Sequence, residues 1–162
     1  MAITKQKKEE IVSKISDVVK NSSTIVFARF TGLTVAEQSE MRKALRKADV
    51  GYTVAKKTLM QRAFDQGNFE GTMPTLEGEV AIAYGSDELA PAREVATFVK
   101  KFPEHLAFAG GIFGGKYMSR EEIIGIASIP GMEALRGMFA QLINSPKQRF
   151  AVVLSQVAAN KQ

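Results

Sequence analysis

Apolar residues recur at helical spacing through Ile11, Val12, Ile15, Val18 and Val19, which predicts a first helix from a cap at Thr4 to about Asn21. Ser22-Ser23 then breaks the period, and Thr24 to Phe30 (TIVFARF) is short, β-branched and mostly apolar, as a buried strand is. After the turn at Thr31-Gly32, Thr34-Val35-Ala36-Glu37 forms a capping box that opens a second helix to about Ala48. Val50, Tyr52 and Val54 alternate as a strand over Asp49 to Ala55. Leu59, Met60, Ala63 and Phe64 return to helical spacing from about Lys57 to Asp65.

The second half repeats the alternation. Glu79 to Tyr84 (EVAIAY) reads as a third strand, Glu88 to Phe102 as a helix with Pro91 in its first turn, and Leu106 to Ala109 as a fourth strand. Ser119-Arg120-Glu121-Glu122 is a second capping box, starting a short helix, and Pro130-Gly131 punctuates the chain. Two further helices are expected, over residues 132–144 and 146–160. Helices alternating with strands predict an α/β fold: a mixed sheet of about four or five strands, some paired in parallel, layered with helices. A protruding C-terminal helical extension follows it. The expected divisions are residues 1–130 for the domain, 131–144 for a connecting helix and 145–162 for a terminal helix.

The chain has 162 residues, 45% hydrophobic and 24% charged, enough for one globular domain with a core of its own. With no cysteine there are no disulfides or thiolate metal sites, and a reducing compartment is expected. No apolar run reaches the roughly 18 residues needed to span a bilayer, and MAITKQKKEE lacks the apolar centre of a signal peptide. A cytoplasmic protein with no membrane partner is the expectation. The net charge of +5 is uneven: residues 1–62 hold 13 Lys/Arg against 6 Asp/Glu, and residues 63–162 hold 9 against 11. A basic block of that kind suits a polyanion.

If the first two strands pair in parallel, the turns Thr31–Thr34 and Ala55–Thr58 fall at one sheet edge, together with the start of the first helix. Such helix starts ordinarily favour Asp or Glu; here they carry Lys5, Lys7, Lys8, Lys56 and Lys57. Each lysine is unfavourable there by about 0.3 kcal/mol unless an external anion, such as a phosphate, sits between amide and ammonium. Arg42, Lys43, Arg46 and Lys47 add a basic face to the second helix. Any one of these cations alone is ordinary surface; their convergence is what points to RNA. No aromatic–basic interleaving marks a single-strand platform, so folded RNA read by backbone and shape fits better.

No reaction is on offer. The single histidine, His105, builds no metal site and reads as a surface or capping residue. GGIFGG (Gly110 to Gly115) lacks phosphate-loop spacing and reads as a hairpin or bulged turn. At the far end, Ser145-Pro146-Lys147-Gln148 has the form of a complete helix start. Phe150, Val153, Leu154, Val157 and Ala158 then make an apolar stripe. It is buried either against its own domain or by partner helices in a groove.

The order and spacing of these segments resemble the bacterial large-subunit ribosomal protein L-ten (stalk base protein) family along essentially the whole chain. The resemblance rests on the basic first helix, FTGLTVAEQSEMRKALRKA, YTVAKKTLMQRA, LEGEVAIAY, FAGGIFGGKYMSREEIIGIASIPG and SPKQRFAVVLSQVAANKQ. Two departures stand out: Lys57 where the family usually has asparagine, and Gly78-Glu79-Val80 where it usually has Gly-Pro-Thr. The resemblance implies a structural protein with no cofactor. Its N-terminal domain would bind large-subunit rRNA at the stalk base beside ribosomal protein L-eleven. Its last helix would carry dimers of the acidic protein L-seven/L-twelve, through which translational GTPases are recruited. Carried over by position, RNA contacts fall to Lys5, Lys7, Lys8, Thr31, Gly32, Lys56, Lys57 and Thr58, and partner contacts to Phe150 through Ala158. The alternative is a free-standing RNA-binding regulator whose last helix packs on its own domain.

Overall fold

A computed structural model describes residues 5–65, 67 and 69–160, the side chain of residue 5 excepted. The chain forms two compact units, Met1–Ile129 and Pro130–Gln162. The first contains, in order, α1 (Lys5–Asn21), β1 (Thr24–Phe30), α2 (Val35–Lys47), β2 (Gly51–Val54), α3 (Lys57–Asp65) and β3 (Glu79–Gly85). It continues with α4 (Ala90–Lys101), β4 (Leu106–Phe113), β5 (Lys116–Met118) and α5 (Arg120–Ala127). The second contains α6 (Met132–Ala159). The expected cap at Thr4 lies outside the described residues.

The strands form one sheet in the order β2-β3-β1-β4-β5, and every ladder is antiparallel. This corrects the expectation of parallel pairing between the first two strands. β1 and β2 do run in the same direction, but they are not neighbours: β3 fills the gap between them and pairs with both. The β1–α2–β2–β3–α4–β4 portion is therefore a split β-α-β arrangement. A crossover helix alone does not reveal such a split, because the intervening strand comes later in the chain.

β1 is buried on both faces over residues 24–28, which is why Ile25 to Ala28 is an unbroken apolar run. Val26 and Ala28 join Met41 and Leu45 of α2, Val95 and Phe98 of α4, and Ile123 of α5. Ile25 and Phe27 face the other way, joining Ile15 and Val19 of α1, Met60 and Phe64 of α3, and Val80 and Ile82 of β3. Phe27 and Phe64 meet edge to face with centroids 5.1 Å apart. Helices thus cover both faces of the sheet, α2, α4 and α5 on one and α1 and α3 on the other.

Both expected capping boxes form. Thr34 Nα and Oγ1 each donate to Glu37 Oε2, at 2.9 and 2.7 Å, while Glu37 N donates back to Thr34 Oγ1. Ser119 and Glu122 repeat the pattern at the start of α5. β4 runs four residues beyond the expected Ala109, and Gly114-Gly115, both at positive φ, turn it into β5. Two consecutive left-handed residues are what a tight type I′ hairpin requires, and glycine adopts them without strain. The GGIFGG segment is hairpin, not phosphate loop.

In the second unit the expected pair of helices is a single one. Ser145-Pro146 opens nothing: α6 runs through it, with Pro146 inside. Proline lacks the N–H that would reach the carbonyl of residue 142. Ser145 Oγ donates to Leu142 O instead, at 2.9 Å, so that carbonyl keeps a partner and the helix continues. The connecting segment and the terminal helix are one element.

Candidate RNA-binding edge and apolar helix

The register fixes one edge of the sheet. Phe30 at the end of β1 lies opposite both Glu79, which opens β3, and Leu106, which opens β4. Val54, ending β2, pairs with Ala81 two residues into β3. The β1–α2 turn and the β2–α3 turn therefore emerge at the same end of the sheet, with Gly78 leading into β3 between them and His105 leading into β4 beyond β1. The two turns share this end of the sheet although β1 and β2 do not pair, because both strands keep a common direction.

Beside the β2–α3 turn lies a cleft of about 610 Å³, lined by Ile11, Phe30, Val54, residues 55–59, Gly78, Glu79 and Val80, so that Lys56, Lys57 and one carboxylate share it. Ile11 brings α1 to the same place. Lys7 and Lys8, four and three residues earlier on the helix, stand one turn from Ile11 on that side. Lys8 also lines a neighbouring groove between α1 and α3 with Lys20 and Arg62. Lys7, Lys8, Lys56, Lys57 and Thr58 are all exposed. The side chain of Lys5 lies outside the described residues. Neither α1 nor α3 has an acidic residue in its first turn. The carbonyl of Lys56 accepts the first helical hydrogen bonds of α3, at 2.9 and 3.1 Å, which leaves the amides of Lys57 and Thr58 without an intrahelical acceptor.

The Thr31–Thr34 turn is held at both ends. Thr31 N donates to His105 O at 2.8 Å, and Thr31 O lies 2.9 Å from His105 Nδ1. A carbonyl only accepts, so Nδ1 carries the proton. At the other end the Thr34–Glu37 box closes the start of α2, and the two Thr34 hydrogen bonds hold the Glu37 carboxyl below the usual carboxylate value. Gly32 sits between the clamps at φ +70°, a left-handed conformation that favours glycine. Among the described residues, the N–H groups of Gly32 and Leu33 have no acceptor. His105, read from sequence as a surface or capping residue, is part of this edge. Its partner is 74 positions away, and nothing in the linear pattern signals it.

The cations of α2 are not brought to the same place. α2 lies on the opposite face of the sheet from α1 and α3 and runs away from Thr34, so Arg46 and Lys47 lie in its last turn, about 16–18 Å along. Arg42 is spread over the Tyr52 ring at 5.6 Å, and Lys43 is exposed beside it. The expected single basic surface is two: one at the α1–α3 edge, one on α2.

α6 presents the reverse chemistry. It has no buried residue, and Phe150, Val153, Leu154 and Val157 are half to two-thirds exposed. Ala158 is exposed as well. In one continuous helix the stripe does not begin at Phe150. Met132, Leu135, Phe139, Leu142, Ile143 and Pro146 fall on the same face, at the same 3-and-4 spacing. Leu142 and Phe139 are as exposed as Phe150, at 69% and 65%. Reading a helix break at Ser145 hid the first half of this face.

A two-faced α/β unit with a lysine-rimmed edge, joined to a long helix with an uncovered apolar face, is the form of a scaffold. Residues 3–102 match the family model described as Ribosomal protein L10. The chain is 36% identical to large ribosomal subunit protein uL10 of Staphylococcus carnosus (strain TM300), over 96% of this chain and 93% of that one. It is 33% identical to the uL10 of Shouchella clausii (strain KSM-K16), over 97% and 95%. The chain belongs to the ribosomal protein L10 family: a structural protein of the large ribosomal subunit, found with it in the cytoplasm, and not an enzyme.

Proposed function

We propose that the first unit binds large-subunit rRNA at the base of the ribosomal stalk, beside ribosomal protein L-eleven. In this reading Lys7, Lys8, Lys56 and Lys57 meet phosphates, and the free amides of Gly32, Leu33, Lys57 and Thr58 donate to them. The backbone turns at Thr31-Gly32 and Lys56–Thr58 match folded RNA by shape rather than by base sequence. α6 carries dimers of the acidic protein L-seven/L-twelve, which in turn recruit translational GTPases.

The observation that carries this reading is the uncovered apolar face of α6, about 40 Å long at 1.5 Å per residue. A face of that length on a helix with few charges needs partner helices to remove it from water. It favours a carrier over a free-standing RNA-binding regulator. Co-purification of the intact chain with the acidic stalk protein, with the mass of the complex measured, tests it. The expected mass is that of this chain plus whole dimers. A mass equal to the chain alone would overturn the reading.

A further inference from the structure

We infer that His105 is a positioning residue for RNA binding: its Nδ1–H holds the Thr31–Gly32 turn in the conformation that meets the nucleic acid. The inference rests on the rRNA-binding reading of this edge. The hydrogen bond from His105 Nδ1–H to Thr31 O is matched by one from Thr31 N to His105 O, so residue 105 grips both backbone polar groups of residue 31. The ring also lies against the turn itself: a Cβ placed on Gly32 would stand 3.5 Å from Nδ1. On the far side the turn is fixed by the Thr34–Glu37 box.

Between these clamps the Gly32 and Leu33 amides have no acceptor among the described residues, and the turn lies at the same end of the sheet as Lys56 and Lys57. A turn held at both ends gives up less conformational freedom on binding than a loose one. His105 is itself exposed and outside both core clusters, so its part in stability is small and its part in holding the turn is separable from folding.

Two amide side chains distinguish the two ring nitrogens. Asparagine places its N–H near the position of Nδ1, and glutamine near that of Nε2. The affinity of the full-length chain for a stalk-base rRNA fragment is measured for wild type, His105→Asn, His105→Gln and His105→Ala, with the salt dependence and the thermal midpoint of each. His105→Asn is expected to bind within twofold of wild type. His105→Gln and His105→Ala are expected to bind about three- to tenfold more weakly, with the midpoint and the salt slope unchanged. Amide exchange at Thr31 should quicken in the same two variants. Equal binding by all four proteins overturns the inference, and so does equal loss in His105→Asn and His105→Ala. A shallower salt slope in His105→Ala also overturns it, because the histidine would then contact phosphate directly. Failure of the wild type to bind the fragment removes the rRNA reading itself, which separates that failure from the others.

Discussion

The basic edge of the sheet and the apolar face of α6 differ in how their residues reach one another. The edge gathers residues from α1, from two strand-to-helix turns and from the starts of β3 and β4, across about a hundred positions of sequence. It stands on a core sealed on both faces of the sheet, so its cations are free to serve a ligand rather than the fold. The face of α6 is assembled by helical periodicity alone, within one element, and has no buried residue behind it. Surface charge on a finished core and apolar surface without a core answer to different partners: phosphate for the first, other helices for the second.

That contrast can be broken by substitution, and the largest effect is expected from the helix. Removing residues 132–162 should abolish binding of the acidic stalk dimers while the affinity for rRNA stays within a factor of about two. Removing only residues 145–162 leaves Met132 to Ile143, and native mass spectrometry should then find part of the partner mass retained. A large fall in thermal midpoint after either deletion would show α6 to be part of the fold. Next, Lys56→Glu with Lys57→Glu should lower rRNA affinity about 100-fold without changing the circular dichroism spectrum or partner binding. The corresponding glutamine pair should flatten the salt slope by about 1.4–1.8.

Phe150→Ala should weaken partner binding about tenfold, measured by calorimetry, with little change in the midpoint because the residue is 67% exposed. Arg46→Gln with Lys47→Gln sharpens the division among the cations: on the far face of the sheet, these should change rRNA affinity less than about threefold. A loss equal to that of the Lys56/Lys57 pair would put α2 on the RNA. The smallest effect is in acid. Glu37 and Glu122 titrate below the ordinary value of 4.5 when folded, held there by Thr34 and Ser119. Their stabilisation is therefore present above about pH 4.5 and fades as pH falls through the lower folded values. Glu37→Gln with Glu122→Gln keeps an acceptor in each box and should flatten that acid limb in thermal melts.

What sequence showed followed from locality. Thr24–Phe30 and Lys57–Asp65 have the expected bounds because their apolar patterns are complete within the element, and both capping boxes formed because the box is a four-residue device. The sheet order was not legible, since β3 inserts between β1 and β2 from later in the chain. Lys56 and Lys57 were found from their place at a helix start, whereas His105 acts across 74 residues and left no local trace. Ser145-Pro146 misled because a cap, a proline and a glutamine satisfy local start rules. In the folded helix Ser145 repairs the hydrogen bond that Pro146 removes. The stripe was visible only from Phe150 onward for that reason.

The two surfaces are held to work at once on one molecule, and sedimentation of the full chain with both ligands tests this most directly. Saturating stalk-base rRNA fragment and acidic stalk dimers should sediment with the chain as one ternary species, each bound as tightly as it is alone. Displacement of either ligand by the other would contradict the account, since the lysine edge and the α6 face would then be sharing one site.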